Sequence, residues 1–200
     1  LFTTEQSIDH LKQTILQLAV MGRLVPQDPD DEPTSVLLEK IAKEKARLVK
    51  EGKIKKQKKL AEIGEDEKRF QLPDGWEWTR LALISQINPR NTTEDGTNAS
   101  FIPMPLISTS HKGEHGQEIR TWGKIKKGYT HFADGDIGVA KITPCFENSK
   151  AVVFSGLENG IGAGTTELHV ARPFGETLSA RYILLFFKSP VFLLVGETNM

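Results

Sequence analysis

The sequence predicts an α+β fold in which an N-terminal antiparallel helical hairpin is followed by a β-rich domain with C-terminal helices. Three observations lead to this prediction. Apolar residues recur at spacings of three and four up to about residue 50, short apolar runs between turn signals follow from residue 70, and residues 178–188 are strongly apolar. The first pattern is typical of helices, the second of strands and the third of a buried helix. We place the domain boundary between residues 69 and 70.

Two amphipathic helices are predicted in the first part of the chain. Four apolar residues line one face of the first: Ile8, Leu11, Ile15 and Leu18. Thr3 and Gln6 fit a capping box at its start, and Gly22 ends it. Pro33 opens the second helix, and its apolar side follows before Gly52: Leu37, Leu38, Ile41 and Leu48. An antiparallel hairpin through residues 25–32 would hide both faces.

Charge is balanced overall but unevenly distributed. The chain has 26 basic and 26 acidic residues, which is not the basic composition of a strong autonomous DNA binder. Residues 39–59 nevertheless contain ten Lys or Arg against three Glu. This run either meets phosphates or forms the solvated face of a helix, and the second interpretation is favoured because long exposed helices are commonly lysine-rich. Residues 53–68 predict a fraying helical extension or a linker.

Composition also limits the cellular setting. No stretch approaches the ~20 apolar residues that span a bilayer, and the first residues have neither a basic nor an apolar signal-peptide region. We therefore expect a cytoplasmic protein without a membrane partner. The single Cys145 excludes an intrachain disulfide and a cysteine-rich zinc site.

Strands are predicted from residue 70 onward in a mostly antiparallel sheet. The apolar runs lie at residues 81–87, 101–107, 136–142, 151–154 and 167–170. Residues 178–188 predict an apolar helix, and Ser189-Pro190 predicts the start of another. Gly160, Gly162 and Gly164 precede a strand pattern, so a glycine-rich hairpin or bulge is favoured over a phosphate-binding turn.

One pattern in the chain is typical of a catalytic site. His111, Glu114 and His115 match the H-x-x-E-H pattern of inverted zinc metallopeptidases, in which a helix places both histidines on one face. Gly113 and Gly116 interrupt any such helix, so a polar surface loop is favoured and a zinc metallopeptidase remains the alternative.

Two further patterns lack a necessary residue. Residues 88–91, Asn-Pro-Arg-Asn, begin like the loop with which amino-methyltransferases hold a flipped adenine, but the stacking aromatic is missing. Asp134, Asp136 and Lys141 are poorly spaced for a metal-dependent nuclease. We expect no catalytic residues, no metal and no cofactor.

Four motifs, in this order, resemble the specificity subunit of type I restriction-modification enzymes. They are the amphipathic helix and acidic turn of residues 11–33, LPDGWEW at 72–78, KITPCFENSK at 141–150 and GIGAGTTELHVARP at 160–173. The resemblance implies a helical spacer over residues 1–69 and a target recognition domain over residues 70–200, incomplete at its C-terminus. It also implies a non-catalytic subunit that reads one half of a split site in double-stranded DNA and docks methyltransferase (modification) and restriction subunits.

Candidate DNA contacts follow from side chains that can donate to phosphates or base edges. The leading candidates lie at the end of the predicted strand 137–142 and in the loop that follows it: Lys141, Thr143 and Lys150. A second group would contact phosphates: Arg120, Lys124, Lys126 and Lys127. The loop with His111 and Lys112 is the alternative reading surface. Trp122, beside the second group, is explained equally well as a core residue.

Two further expectations concern assembly. A helical adaptor without affinity for DNA is the second alternative function. We also expect a fragment of a longer subunit, in which the apolar residues 191–195 stay partly uncovered and favour self-association.

Overall fold

The computed structural model describes residues 4–143, 145–175 and 178–193, and it confirms a mixed fold of helices and strands. The strands form two β-sheets, whereas the sequence predicted one. These residues pack as two compact units. Unit 1 comprises residues 4–84 and 189–193, and unit 2 comprises the described residues between 85 and 188. The predicted boundary between residues 69 and 70 separates a helical spacer from a recognition domain. It is not a boundary between packing units, and it stays a prediction.

Unit 1 begins with two long helices, α1 (Glu5–Val20) and α2 (Thr34–Lys50). Thr4 is the N-cap of α1, and its hydroxyl accepts a hydrogen bond from the Ser7 amide at 3.2 Å. The Ser7 hydroxyl in turn accepts from the Thr4 amide at 3.2 Å. The capping box predicted at Thr3 and Gln6 is therefore displaced by one residue, because serine at the third helical position takes the reciprocal role. Thr3 itself lies outside the described residues.

The apolar faces of the two helices differ in burial. On α2, Ile41 is buried and Leu37, Leu38 and Leu48 are half-buried, as predicted. On α1 the predicted inner stripe is largely exposed: Ile8, Ile15 and Leu18 keep 43%, 44% and 36% of their surface. Leu16 and Val20 are buried instead. At 100° per residue these two lie on nearly the opposite side of the helix from the stripe.

The tryptophan-rich segment 72–78 packs against the end of α1. Gly22 adopts φ +68°, and a Cβ at that position would lie 2.8 Å from Pro73 and 2.9 Å from the Trp76 ring. The Trp76 indole donates to Gln27 Oε1 at 2.9 Å. Glycine at 22 is therefore needed both for the left-handed turn and for the close approach. Residues 55–64, between α2 and this segment, form neither helix nor strand.

The described residues of unit 2 form eight strands in two four-stranded sheets. Sheet A has the order β1-β8-β5-β6 and sheet B the order β3-β2-β7-β4. The strands are β1 Ser85–Ile87, β2 Asn98–Ile102, β3 Glu118–Thr121, β4 Thr130–Ala133, β5 Ile137–Ala140, β6 Ala151–Val153, β7 Ile161–Gly164 and β8 Leu168–Pro173. All pairings are antiparallel except that of β2 with β7, so the predicted mostly antiparallel arrangement is confirmed.

Several strand predictions were wrong in detail. The run at 81–87 divides into the helical turn α3 (Leu81–Ile84) and β1, and the run at 101–107 divides into the end of β2 and a 3-10 turn at 104–106. Strands β3 and β4 carry polar residues and were missed. The predicted glycine-rich hairpin is a crossover, because β7 belongs to sheet B and β8 to sheet A.

The helices of unit 2 are α4 (Trp122–Ile125) and α5 (Ala180–Phe187). Helix α5 packs against β5 and β6 and buries Ile183, Leu184 and Phe187. Residues 190–193 are helical, as Ser189-Pro190 predicted, whereas 194 and 195 of the predicted apolar helix lie outside the described residues. Within the described residues, no helix is long and apolar enough to cross a membrane.

Candidate nucleic-acid interface

The leading candidate loop, residues 141–150, connects β5 to β6 and is tightly folded on itself. The Phe146 amide donates to the Ile142 carbonyl at 2.9 Å, and the Lys150 amide donates to the Cys145 carbonyl at 3.1 Å. Ser149 has a left-handed φ of +51°. The loop is closed at its base by the Ala140 amide, which donates to the Lys150 carbonyl at 2.9 Å. Pro144 lies outside the described residues.

Two lysine ammonium groups hold this loop in place from the protein side. Lys150 Nζ donates to the Met104 carbonyl at 3.1 Å, and Lys188 Nζ donates to the Ser149 carbonyl at 2.9 Å. Lys188 has no exposed surface, and its burial lowers the pKa of the ammonium to about 8. Lys188 was not predicted to be a functional residue, although a lysine at the end of a strongly apolar helix is well placed to donate to backbone carbonyls.

Other side chains of the loop face solvent. Lys141, Thr143 and Asn148 are exposed, so they are free in geometry to donate to an approaching ligand. Lys141 also lies near His169, which sits beside Val139 across the β5–β8 pairing. Partial burial and the Lys141 charge both lower the pKa of His169. Lys150 therefore supports the loop, whereas Lys141 and Thr143 are exposed on the surface of the loop.

The residues that were predicted to contact phosphates lie on sheet B, at the end of β3 and around α4. The Arg120 guanidinium stacks over the Phe101 ring at 3.7 Å and pairs with Glu118 at 2.6 Å. Lys126 pairs with Asp95 at 2.6 Å. Lys124 and Lys127 are exposed and form no ion pair among the described residues. These two lysines are therefore the members of the group whose charge is not already neutralised.

Trp122, between Arg120 and Lys124, is a core residue. Only 1% of its surface is exposed, and its ring packs edge-on against His131 at 4.8 Å between centroids. His131 is buried as well, which lowers the pKa of its imidazole. Its Nδ1 accepts from the Asn91 amide at 3.1 Å, and its Nε2 lies 3.0 Å from the Lys126 carbonyl, which assigns the proton to Nε2.

The third candidate surface is the loop of residues 111–115. It forms a turn in which Gly113 has φ +65°, not the helix that the zinc pattern needs. His115 Nε2 accepts from the Ser155 amide at 3.3 Å, so it is used within the fold. No group of three or more potential metal ligands occurs among the residues described. The zinc metallopeptidase alternative is therefore unsupported, because without a helix His111 and His115 do not share one face.

A shallow cavity of about 340 Å³ lies beside this turn. Its lining includes Lys112, His115 and Arg181. Arg181, on α5, donates to the Lys112 carbonyl at 2.9 Å, and Lys112 Nζ lies 3.9 Å from Glu114. Helix α5 thus supports one candidate surface through Arg181, at the 111–115 turn, and Lys188 at its C-terminal end supports the 141–150 loop. The candidate phosphate contacts on sheet B are held by other residues, since Arg120 pairs with Glu118 and Lys126 pairs with Asp95.

A polar network that the sequence did not predict joins the two sheets. Arg172 on β8 makes two hydrogen bonds to Asp136, at 2.8 and 2.7 Å, and a third to Asn91 Oδ1 at 2.9 Å. Asn91 Nδ2 donates to the Phe132 carbonyl on β4 at 2.7 Å. Asp136 and Asn91, which belong to the two incomplete catalytic patterns of the sequence, therefore have structural partners.

Comparison with known proteins identifies close relatives. No family model matches the chain. It is 64% identical over 194 residues to the type I restriction enzyme EcoAI specificity subunit and 62% identical over 194 residues to the EcoEI specificity subunit, both from Escherichia coli. Each alignment covers 96% of this chain and 33% of the relative, so the chain spans about a third of the relatives' length.

Two solved structures are similar to the chain at a much lower sequence identity. One, from a study of complex assembly and conformational transition in the type I R-M system, is 14% identical, with a TM-score of 0.44 over 98% of this chain and 43% of that one. The HsdS subunit from Thermoanaerobacter tengcongensis is 16% identical, with a TM-score of 0.43 over 83% of this chain and 40% of that one. The sequence relatives confirm the resemblance drawn from the motifs: over nearly its whole length, the chain is similar to one third of a type I restriction enzyme specificity subunit.

Proposed function

We propose that this chain is the part of a type I specificity subunit that reads one half of a split target in double-stranded DNA. The observation that carries the proposal is the 64% identity to a specificity subunit over 194 residues. That alignment covers 96% of the chain, and so nearly all of the candidate surfaces described above. The similarity gives no support to the alternatives of a zinc metallopeptidase or a helical adaptor without DNA affinity.

In this proposal the exposed side chains of unit 2 make the DNA contacts. Lys141 and Thr143 read base edges from a loop that Lys150 and Lys188 keep in one conformation. Lys124 and Lys127 bind phosphates, with Arg120 and Lys126 beside them in ion pairs that DNA would have to compete for. His111 and Lys112 form a secondary surface. A preorganised loop favours recognition because less conformational entropy is lost on binding.

The helices of unit 1 serve assembly in this proposal. We infer an antiparallel hairpin of α1 and α2, forming a spacer over residues 1–69, with the recognition domain over residues 70–200. The exposed apolar residues of α1 support a role in contacts with other chains. The proposed partners are methyltransferase (modification) and restriction subunits, with self-association of the isolated chain. A cytoplasmic location follows from a function on cellular DNA.

The subunit is proposed to be non-catalytic and to need no cofactor or metal. The relatives are named as specificity subunits of restriction enzymes, and this name assigns them recognition. The 111–115 turn and Asp136 offer no catalytic geometry, since the first is not helical and the second is engaged by Arg172.

The proposal is tested by binding of the purified chain to labelled duplex DNA at two salt concentrations. We expect weak binding that falls steeply with salt. Lys141→Ala should weaken binding by ~1–3 kcal/mol if the contact is to a base, and less if it is to a phosphate. Lys12→Ala is the matched control, because Lys12 is exposed on α1 and pairs with Asp9 at 2.9 Å. Salt-independent binding, or unchanged affinity in a Lys141, Lys124 and Lys127 triple variant, would contradict the proposal.

A further inference from the structure

A short basic segment of unit 1 lies where the sequence predicted either a fraying helical extension or a linker. We name residues 53–59, Lys-Ile-Lys-Lys-Gln-Lys-Lys, the basic strap. Helix α2 ends at Lys50, and Gly52 turns the chain with φ +71°. The strap that follows is irregular and its lysines are exposed. The solvated face of a helix, the interpretation favoured from the sequence, therefore does not account for these lysines.

Charges in the strap are treated differently from those in the helix before it. In α2 three of the five cations form ion pairs: Lys40 with Glu32 at 2.6 Å, Lys43 with Glu39 at 3.8 Å and Arg47 with Glu44 at 2.6 Å. In the strap, Lys53 has such a partner, Glu51 at 2.9 Å. The other four lysines form no ion pair within the described part of the chain: Lys55, Lys56, Lys58 and Lys59.

Two acidic residues that follow the strap along the chain are used elsewhere. Glu65 pairs with Lys68 at 2.5 Å, and Glu67 pairs with Arg80 at 2.8 Å. The hydrogen bond from Arg80 lowers the pKa of Glu67, so this carboxylate is committed to its own partner. Glu62 and Asp66, the other two acidic residues of this stretch, form no ion pair with the strap among the residues described. Four positive charges of the strap are therefore left without an ion-pair partner in the described part of the chain.

The strap is nevertheless held in position. Lys45 Nζ donates to Gln57 Oε1 at 2.6 Å and to the Ala82 carbonyl at 3.1 Å, which fixes the middle of the strap against the α3 turn. Just beyond it, Arg80 donates to the Ala61 and Glu62 carbonyls, both at 2.8 Å. A segment anchored in this way loses less conformational entropy on binding than a free tail does.

We propose that the basic strap binds the phosphate backbone of duplex DNA outside the bases that unit 2 reads. The inference rests on the proposed function. The chemistry of the strap fits phosphates because lysine ammonium groups act as point charges. Such charges suit a regular row of phosphates but carry little sequence information. The strap sequence contains no arginine, asparagine or aromatic residue that would read a base edge or fill a protein pocket, and its one glutamine, Gln57, accepts a hydrogen bond from Lys45 at 2.6 Å. An acidic protein surface is the competing outcome of the test.

The test compares the salt dependence of DNA binding in the full chain and two variants. The strap variant carries Lys55→Gln, Lys56→Gln, Lys58→Gln and Lys59→Gln. The control variant carries Lys12→Gln, Lys40→Gln, Lys43→Gln and Lys68→Gln. It removes the same number of positive charges, but from lysines that form ion pairs in the fold. Each protein is titrated with two duplexes of unrelated sequence, and circular dichroism checks that it is folded.

We expect the strap variant to lower the slope of log K against log salt by about 0.9 for each phosphate that it no longer neutralises, and so by roughly 2 to 4 in total. At low salt its affinity should fall at least about tenfold, equally for both duplexes. The control variant should change much less. Half variants, Lys55→Gln with Lys56→Gln and Lys58→Gln with Lys59→Gln, should each show part of this effect, and they serve if the fourfold variant does not fold.

Three results would overturn the inference. An equal decrease in the strap and control variants would indicate net charge alone. An unchanged slope together with failed assembly with methyltransferase subunits would indicate an acidic protein surface. An unchanged slope with intact assembly would leave the strap without this role while the proposed function stands. Absence of any salt-dependent binding by the unmodified chain would instead contradict the proposed function itself.

Discussion

At the scale of single residues, the ion pair of Asp136 with Arg172 connects the start of one strand to the end of another. Asp136 keeps 1% of its surface, and the Arg172 side chain keeps 30%. Burial raises the pKa of Asp136, while the Arg172 hydrogen bonds and the Ala133 amide, which donates at 2.8 Å, oppose that rise. A carboxylate that is this deeply buried depends on its partner.

We predict that Arg172→Met lowers the free energy of unfolding by ~3–5 kcal/mol, because it leaves the buried Asp136 charge alone. Urea unfolding measures the change. Adding Asp136→Asn to the variant should recover part of the stability, because the uncompensated charge is then removed. Lys12→Met, at an exposed ion pair, is the control and should change little. A small effect of Arg172→Met alone would show that water replaces the guanidinium.

A second prediction concerns pH and Lys188. The pKa of Lys188 is about 8 in the folded chain, and in the unfolded chain it takes the ordinary lysine value of 10.5. At a pH between these two values the unfolded chain therefore binds more protons than the folded one. The Lys188 contribution should therefore raise stability from pH 8 toward pH 10.5, and it should level off below about pH 8. Thermal unfolding of the chain and of Lys188→Met across this range measures it. Parallel pH profiles for the two proteins would contradict the prediction.

At the scale of secondary structure elements, the glycines of β7 decide how close the neighbouring strands lie. A Cβ on Gly162 would lie 2.8 Å from the Ser100 carbonyl oxygen, and one on Gly164 would overlap the Ile102 carbonyl oxygen of the parallel strand β2. Phe132 of β4 also covers both positions, and its ring stacks on Phe154 at 3.7 Å. The glycine run thus serves sheet packing and the crossover to β8, in place of a phosphate site.

Gly164→Ala should destabilise unit 2 by ~1–3 kcal/mol, because the obstructing atom belongs to backbone and cannot rotate away. Gly96→Ala is a matched control, since nothing lies within 4 Å of a Cβ at that position and its φ is not left-handed. Chemical denaturation of both variants gives the comparison. Equal stability of the two variants would mean that β2 and β7 separate without cost.

At the scale of the whole molecule, the chain corresponds to a third of its relatives' length, so it is proposed to supply one part of a recognition system. We propose that this part reads one half of a split DNA target. The two units would then divide the work, with unit 2 presenting the base-reading loop and the basic strap of unit 1 adding contacts that do not depend on sequence.

A chimera tests this division. The matching 194 residues replace their counterpart in the EcoAI specificity subunit, to which they are 64% identical. Assembled with modification subunits, the chimera should methylate a two-part site that differs from the parent's in at most one part. The unchanged EcoAI subunit is the control. A change in both parts, or a folded chimera that directs no methylation, would contradict the assignment of one half-site to this chain.

The sequence by itself determined the class of fold, the two long helices and the family resemblance. Helix α2 follows its apolar spacing, because Ile41 and its neighbours lie on one side at the helical period. Strands β5, β6 and β8 were predictable because their inner residues form short apolar runs between turns.

Only the tertiary structure decided which polar residues are free. Lys141 and Lys150 look alike in the sequence, yet one is exposed and the other donates to Met104, 46 residues away along the chain. Lys188, Arg172 and the four strap lysines depend likewise on partners brought together, or kept apart, by folding. Periodicity reports the burial of a face of an element, whereas the state of an individual charge depends on contacts distant in sequence, which no local pattern encodes.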